Sequence, residues 1–192
     1  EFCDSVNRIR VAMGNTGIPF DLCMTEDAEK VLQKYDVAIF TATFPSDSGT
    51  KAIALFPVCH KSNNPKTVAW RDCYDDVEHI INDYINKGLV DKKRIYVTGS
   101  SDGGVGTWDY AEKHPEMFAA AISMSCSSPR KVDIPIYFFN TRSEKDCTDK
   151  VKELKKKGVK VKYKYCPQYK HGGDAAECTP ELLKEFFSIK KK

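Results

Sequence analysis

No stretch of this chain approaches the roughly 20 consecutive apolar residues a membrane-spanning helix requires, so no membrane partner is expected. It also lacks a Pro/Gly/Ser-rich linker, an internal repeat and a low-complexity tract. Its 192 residues therefore read as one domain, 1–192, long enough to bury a proper core. No block of one charge sign dominates. The 30 basic and 27 acidic residues interleave to a net +3, which is not the basic stripe of a nucleic-acid binder. Lys190-Lys191-Lys192 reads as a solvated tail. C-x-x-C pairs are missing, and common zinc sites supply ligands in such close pairs, so no metal is expected. The N-x-[ST] sequon is missing too, which excludes N-glycosylation.

Cysteine, by contrast, is abundant: eight residues, an even number. That usage predicts a secreted, extracellular protein with up to four disulfides. No signal peptide opens the sequence, so this reading expects a mature or trimmed chain.

The apolar pattern alternates strands with helices. Ile9–Met13 is a short strand leading into the loop Gly14-Asn15-Thr16-Gly17. Thr25 reads as an N-cap, with Ala28, Val31, Leu32 and Tyr35 on one helical face. Residues 37–43 form a buried strand, and the long loop region 44–72 carries a short strand near 52–56. A helix is predicted over Tyr74–Asn86, with Val77, Ile80, Ile81, Tyr84 and Ile85 on one side. Strands follow at Ile95–Thr98, Phe118–Ser123, Ile134–Asn140 and, at an edge, Val159–Tyr165. Between them lie a helix ending near His114-Pro115 and one ending at Gly158; Thr179-Pro180-Glu181 starts the last helix. The pattern predicts an α/β fold, a mostly parallel sheet of about six or seven strands with helices on both faces. Proximity on this topology suggests the pairs Cys3–Cys23, Cys59–Cys73, Cys126–Cys147 and Cys166–Cys178.

The most informative segment runs from Arg94 to Cys126. A β-branched and aromatic strand meets Gly99-Ser100-Ser101-Asp102-Gly103, a match to G-x-S-x-G, and an amphipathic helix follows. In that motif a serine is held on a strained strand-to-helix turn with its hydroxyl exposed, and small residues are expected two positions either side. A serine hydroxyl needs a base to take its proton, and the base needs a carboxylate to fix its tautomer. The order Ser, acid, His is met by Ser101, then Glu144 or Asp146, then His171. On a parallel sheet the loops holding Gly14–Gly17, Ser101, Ser143–Asp146 and His171 converge at the carboxyl edge.

With those residues in view, the segment from Arg94 to Ser125 closely resembles the feruloyl-esterase and polyhydroxybutyrate-depolymerase branch of the α/β-hydrolases. Weaker resemblance extends over most of the chain. It implies that Ser101 attacks the ester carbonyl, that His171 is general base and then general acid, and that the backbone N–H groups of Asn15 and Asp102 form the oxyanion hole. Two departures stand out: Met13 occupies the place of a usual histidine, and the acid loop is altered. Counting from Pro135 points to Glu144, whereas the string Ser143-Glu144-Lys145-Asp146 points to Asp146; Asp146 is the expected acid. The resemblance implies a monomeric serine carboxylic-ester hydrolase without cofactor. Its favoured substrates are feruloyl or acetyl esters on plant cell-wall polysaccharide. A polyhydroxyalkanoate depolymerase and an inactive binding protein on the same fold are the alternatives. The other histidines suit catalysis less well: His79 on a polar helix face, His114 at a helix C-terminus, and His60 in the long loop. Trp108 is expected in the core, and Trp70 is a candidate for the acyl pocket.

Overall fold

The computed structural model describes residues 38–40, 53–55 and 74–192. The expectations for Ile9–Met13, the Asn15 loop, the Thr25 helix, His60, Trp70, Cys3–Cys23 and Cys59–Cys73 fall outside them.

Among the described residues six strands form one parallel sheet: β1 (Ala38–Phe40), β2 (Ile53–Leu55), β3 (Ile95–Ser100), β4 (Ala120–Met124), β5 (Ile136–Thr141) and β6 (Val161–Cys166). Their order is β2-β1-β3-β4-β5-β6. The chain steps outward from β1 to β2, then returns across β1 to lay down β3 and proceeds the other way. β1 and β3 therefore flank the switch point, where open α/β sheets place their ligand crevice at the carboxyl ends.

Side chains alternate across the sheet, as a period of two requires. Ile95, Val97, Ala121, Ile136, Phe138 and Val161 face one core. That core is closed by α1 (Tyr74–Asn86), α2 (Asp102–Lys113) and α3 (Thr148–Lys156). Tyr96, Ala120, Ile122, Met124, Tyr137 and Phe139 face the other, covered by Leu183, Phe186 and Phe187 of α4 (Pro180–Ser188). Trp108 is fully buried in the first core, with its ring edge-on to Phe138 at 5.4 Å, as expected of a core residue.

Helix boundaries follow local chemistry. α1 spans the predicted residues, with Asp75 and Asp76 in its first turn where the helix dipole favours acids. α2 stops at Lys113, before His114 and Pro115. α4 begins at Pro180, and the Thr179 hydroxyl caps it by accepting from the Leu182 N–H. The strands β4, β5 and β6 start two residues later than their apolar runs. Phe118, Ile134 and Val159 are buried at the amino edge of the core, so they are apolar for packing rather than for pairing. A short 3-10 turn at Gly173–Glu177, which the pattern does not announce, follows the His171 loop.

The expected bridges Cys126–Cys147 and Cys166–Cys178 are not formed: all four residues are free and buried. Each thiol is absorbed locally. Cys126 lies 3.2 Å from Ser123 Oγ in one core, whereas Cys178 donates to Met124 Sδ in the other. Cys147 receives the Asn140 amide, and Cys166 donates to the Lys164 carbonyl. Burial pushes every one of these thiols up, Cys166 to about 11 and Cys178 to about 12, so they stay protonated at neutral pH.

Candidate active site

Ser101 stands between the end of β3 and the start of α2, with φ 60° and ψ −122°. A non-glycine residue with positive φ is uncommon and strained, and such strain persists only where the surroundings enforce it. Here they do. The Ser101 N–H donates to the Met124 carbonyl at 3.1 Å, and the Ser101 carbonyl accepts from the Val105 N–H at 3.0 Å. The turn is tight on two sides. A Cβ on Gly99 would lie 2.3 Å from the Gly103 carbonyl oxygen, and one on Gly104 would lie 2.4 Å from the Met124 carbonyl oxygen. A Cβ on Gly103 would meet nothing within 4 Å. The positions that sterics reserve for glycine are therefore 99 and 104, not the 99 and 103 of the motif. Asp102, exposed at the first position of α2, has its N–H among those a helix start leaves unsatisfied.

His171 follows β6 in an exposed loop, and its side chain is 52% exposed. Its Nδ1 lies 2.5 Å from Glu144 Oε1. Glu144 is well buried, at 7% side-chain exposure. Its other oxygen accepts from the Thr141 N–H at 3.0 Å and the Thr141 hydroxyl at 2.6 Å. Burial alone would raise this carboxyl, but the hydrogen bonds from Thr141 and His171 outweigh it and hold Glu144 below the usual carboxylate range.

Of the two candidate carboxylates, Glu144 meets His171 and Asp146, the expected acid, does not. The Asp146 carboxylate accepts from the N–H and hydroxyl of Thr148, at 2.9 and 2.7 Å, and from the Tyr163 hydroxyl at 3.0 Å. It thus ties down the first turn of α3. The reason is the turn after β5: Glu144 N–H donates to the Thr141 carbonyl at 3.2 Å, which folds residues 141–144 tightly enough to return Glu144 to the strand end. The count along the strand already pointed to Glu144. The local string misled because Asp146 two residues before Thr148 is a helix-start signal.

Three loops are stitched together at the carboxyl edge. The His171 N–H donates to Ser143 Oγ at 3.0 Å, and the Arg142 N–H donates to the Tyr169 carbonyl. The Gly172 N–H donates to Ser125 Oγ at 2.8 Å. Since Ser101 hangs on Met124 and the histidine loop hangs on Ser125, adjacent residues at the end of β4 anchor both. Among the described residues His171 pairs with Glu144, and no hydrogen bond joins it to Ser101 Oγ. Asn15, the second expected oxyanion donor, lies outside the described residues. The sequence reading did not single out Thr141, Ser125 or Asp174, since nothing local to them signals a role. His79 is exposed, and His114 is 2.5 Å from Glu78 at the opposite end of α2. Neither approaches this site.

Residues 64–128, which hold the serine turn, match the prolyl oligopeptidase family. No curated protein matches the chain. Among solved structures it is similar to a thermostable esterase, with 21% identity and a TM-score of 0.61 over 91% of this chain and 58% of that one. It is similar to SOBER1 of Arabidopsis thaliana, with 14% identity and a TM-score of 0.57 over 80% of this chain and 98% of that one. It is also similar to an acylaminoacyl peptidase of Pyrococcus horikoshii, with 17% identity and a TM-score of 0.56 over 82% of this chain and 38% of that one. The chain thus spans less than two thirds of the first and third of these proteins. The fold is that of the α/β-hydrolases.

Proposed function

We propose that this chain is a serine hydrolase acting on carboxylic esters, with Ser101, His171 and Glu144 as its triad. The observation that carries the reading is the Glu144–His171 pair, hung from the same strand end that strains Ser101. In this mechanism the substrate carbonyl carbon is attacked by Ser101 Oγ while His171 Nε2 takes the hydroxyl proton. The Asp102 N–H, with the Asn15 N–H expected beside it, holds the oxygen as it becomes negative. Collapse of the tetrahedral intermediate expels the alcohol, which takes its proton from His171. Water then attacks the acyl-enzyme with His171 again as base, and the acid leaves. Glu144 accepts from Nδ1–H throughout, fixing the tautomer and stabilising the imidazolium. Every proton in these steps is carried by Ser101 and His171.

The finer reading is a monomeric feruloyl or acetyl esterase on plant cell-wall polysaccharide, outside the cell. It draws on the likeness of residues 94–125 to that esterase branch, and no longer on the bridges Cys126–Cys147 and Cys166–Cys178. A polyhydroxyalkanoate depolymerase uses the same chemistry on another polyester.

The test compares wild type with Ser101→Ala on p-nitrophenyl acetate, p-nitrophenyl butyrate and methyl ferulate. Hydrolysis reduced at least about 10³-fold in the variant is expected. Methyl ferulate cleavage supports the cell-wall reading. A folded wild type no faster than Ser101→Ala sinks the enzyme reading and leaves a binding protein on this fold.

A further inference from the structure

Asp174 is a carboxylate with 0% exposure, three residues beyond His171. Among the described residues no ion pair reaches it; its hydrogen bonds come from Ser125 and from its own backbone N–H. The Ser125 N–H donates to Oδ2 at 2.8 Å, and the Ser125 hydroxyl donates to Oδ1 at 2.6 Å. Burial raises the Asp174 carboxyl above its ordinary range, against the hydrogen bonds from Ser125. A buried charge without a cationic partner is expensive, and a loop needing only a staple can use an uncharged acceptor.

The carboxylate does what a neutral group cannot do as firmly: it dictates which way the Ser125 proton points. A serine hydroxyl has one hydrogen. Committed to Asp174, it leaves only lone pairs for its other neighbour, and that neighbour is the Gly172 N–H at 2.8 Å. Gly172 adjoins His171 and sits at φ 79°, in the left-handed region that favours glycine. Ser125 itself holds φ 48° and also gives its N–H to the Phe139 carbonyl at 3.0 Å. It is thereby locked to β5 on one side and the histidine loop on the other, one residue after the carbonyl that holds Ser101.

We propose that Asp174, acting through Ser125, is a positioning residue that sets where His171 stands relative to Ser101 and Glu144. The inference rests on the serine-hydrolase reading. Neither residue touches the reacting atoms. Asp174→Asn keeps the shape but sets an amide donor against one of the two Ser125 donors, so the hydroxyl no longer has a single orientation.

The experiment uses the full chain with p-nitrophenyl acetate and follows the low-field proton resonance of His171 Nδ1–H, assigned with His171→Ala. Asp174→Asn is expected to lower kcat about 10- to 100-fold with KM within about threefold, since a misplacement near 1 Å costs that much. The resonance should broaden or vanish. Ser125→Ala should do the same, and it serves where Asp174→Asn fails to fold. Asp109→Asn controls for destabilisation: Asp109 is also buried, pairs with Arg130 at 2.7 Å, and lies on α2 away from the loop. It should lower the melting temperature while kcat stays within about twofold. Wild-type kcat and resonance in both Asp174→Asn and Ser125→Ala overturn the inference and leave the enzyme reading intact. A wild type no faster than Ser101→Ala overturns the enzyme reading. The resonance then still decides positioning: present in wild type and lost in the two variants supports it, while persistence in them, or absence from wild type, overturns it.

Discussion

Glu144 and Asp146 are two residues apart and chemically alike, yet their surroundings give them different work. Glu144 is drawn inward, held by Thr141 and set against His171. Asp146 is solvent-exposed and accepts from the N–H and hydroxyl of Thr148, the first residue of α3. In the serine-hydrolase reading, Glu144→Gln should lower kcat about 10²- to 10⁴-fold, whereas Asp146→Asn should leave kcat within about threefold and take a little off the melting temperature. The reverse ranking, in side-by-side kinetics, would return the acid to Asp146. The same pair carries a pH signature. The folded pKa of Glu144 lies below the unfolded value of 4.5, so its stabilisation is present above about pH 4.5 and is lost as pH falls through the folded value. Acid unfolding followed by circular dichroism should therefore steepen below that pH in wild type, and flatten in Glu144→Gln.

The serine turn is a property of elements meeting, not of five residues in a row. Gly99 faces the Gly103 backbone, and Gly104 faces the end of β4, where the Met124 carbonyl lies 2.4 Å from a built Cβ. Both distances are shorter than any real Cβ contact, and in both cases the obstacle is backbone, which cannot swing aside. Gly104→Ala should therefore push α2 off β4, lowering stability by about 1–3 kcal/mol. Gly103→Ala meets open space and replaces the poorest non-proline helix former with the best. It should be neutral or stabilise by up to about 1 kcal/mol. Urea unfolding of the two variants checks the pair; equal losses would mean the motif's second glycine is needed for its own space. α4 shows the opposite case, an element set by its own residues: a capping threonine, a proline at the first position and three large apolar side chains on one face.

Among the described residues the sheet is flanked by two cores, and the four free thiols are buried rather than on the surface. Cys126 and Cys147 belong to the core under α1, α2 and α3, and Cys178 to the one under α4. Burial and the raised pKa of each predict thiols that are inert in the folded protein. Titration with a chromogenic disulfide reagent should find these four unreactive in the native state and reactive together on global unfolding. Mass mapping of the unfolded, unreduced and alkylated protein that finds any of these four in a bridge would overturn this and restore weight to an extracellular, disulfide-stapled domain.

Much of this was determined by the sequence alone. Local rules place α1, α2 and α4, because a helix start, a proline and a 3.6-residue apolar period act over a few neighbours. They also place Ser101 on a strand-to-helix turn, since a strand, a glycine-rich turn and a helix follow in series. The parallel sheet brings the loops after β3, β5 and β6 to one carboxyl edge. What the tertiary structure decided are contacts between residues far apart in the chain. The choice of Glu144 over Asp146 hangs on how sharply the chain turns after β5. The requirement for glycine at 104 comes from the neighbouring strand. Cys126, Cys147, Cys166 and Cys178 are unpaired, and each thiol has a local partner instead: Ser123, Asn140, the Lys164 carbonyl and Met124. Asp174, an unremarkable aspartate in the sequence, becomes a buried carboxylate only when Ser125, 49 residues earlier, turns back to meet it. Propensity and periodicity act over neighbours; hydrogen bonds and sterics across the sheet exist only once the chain has closed on itself.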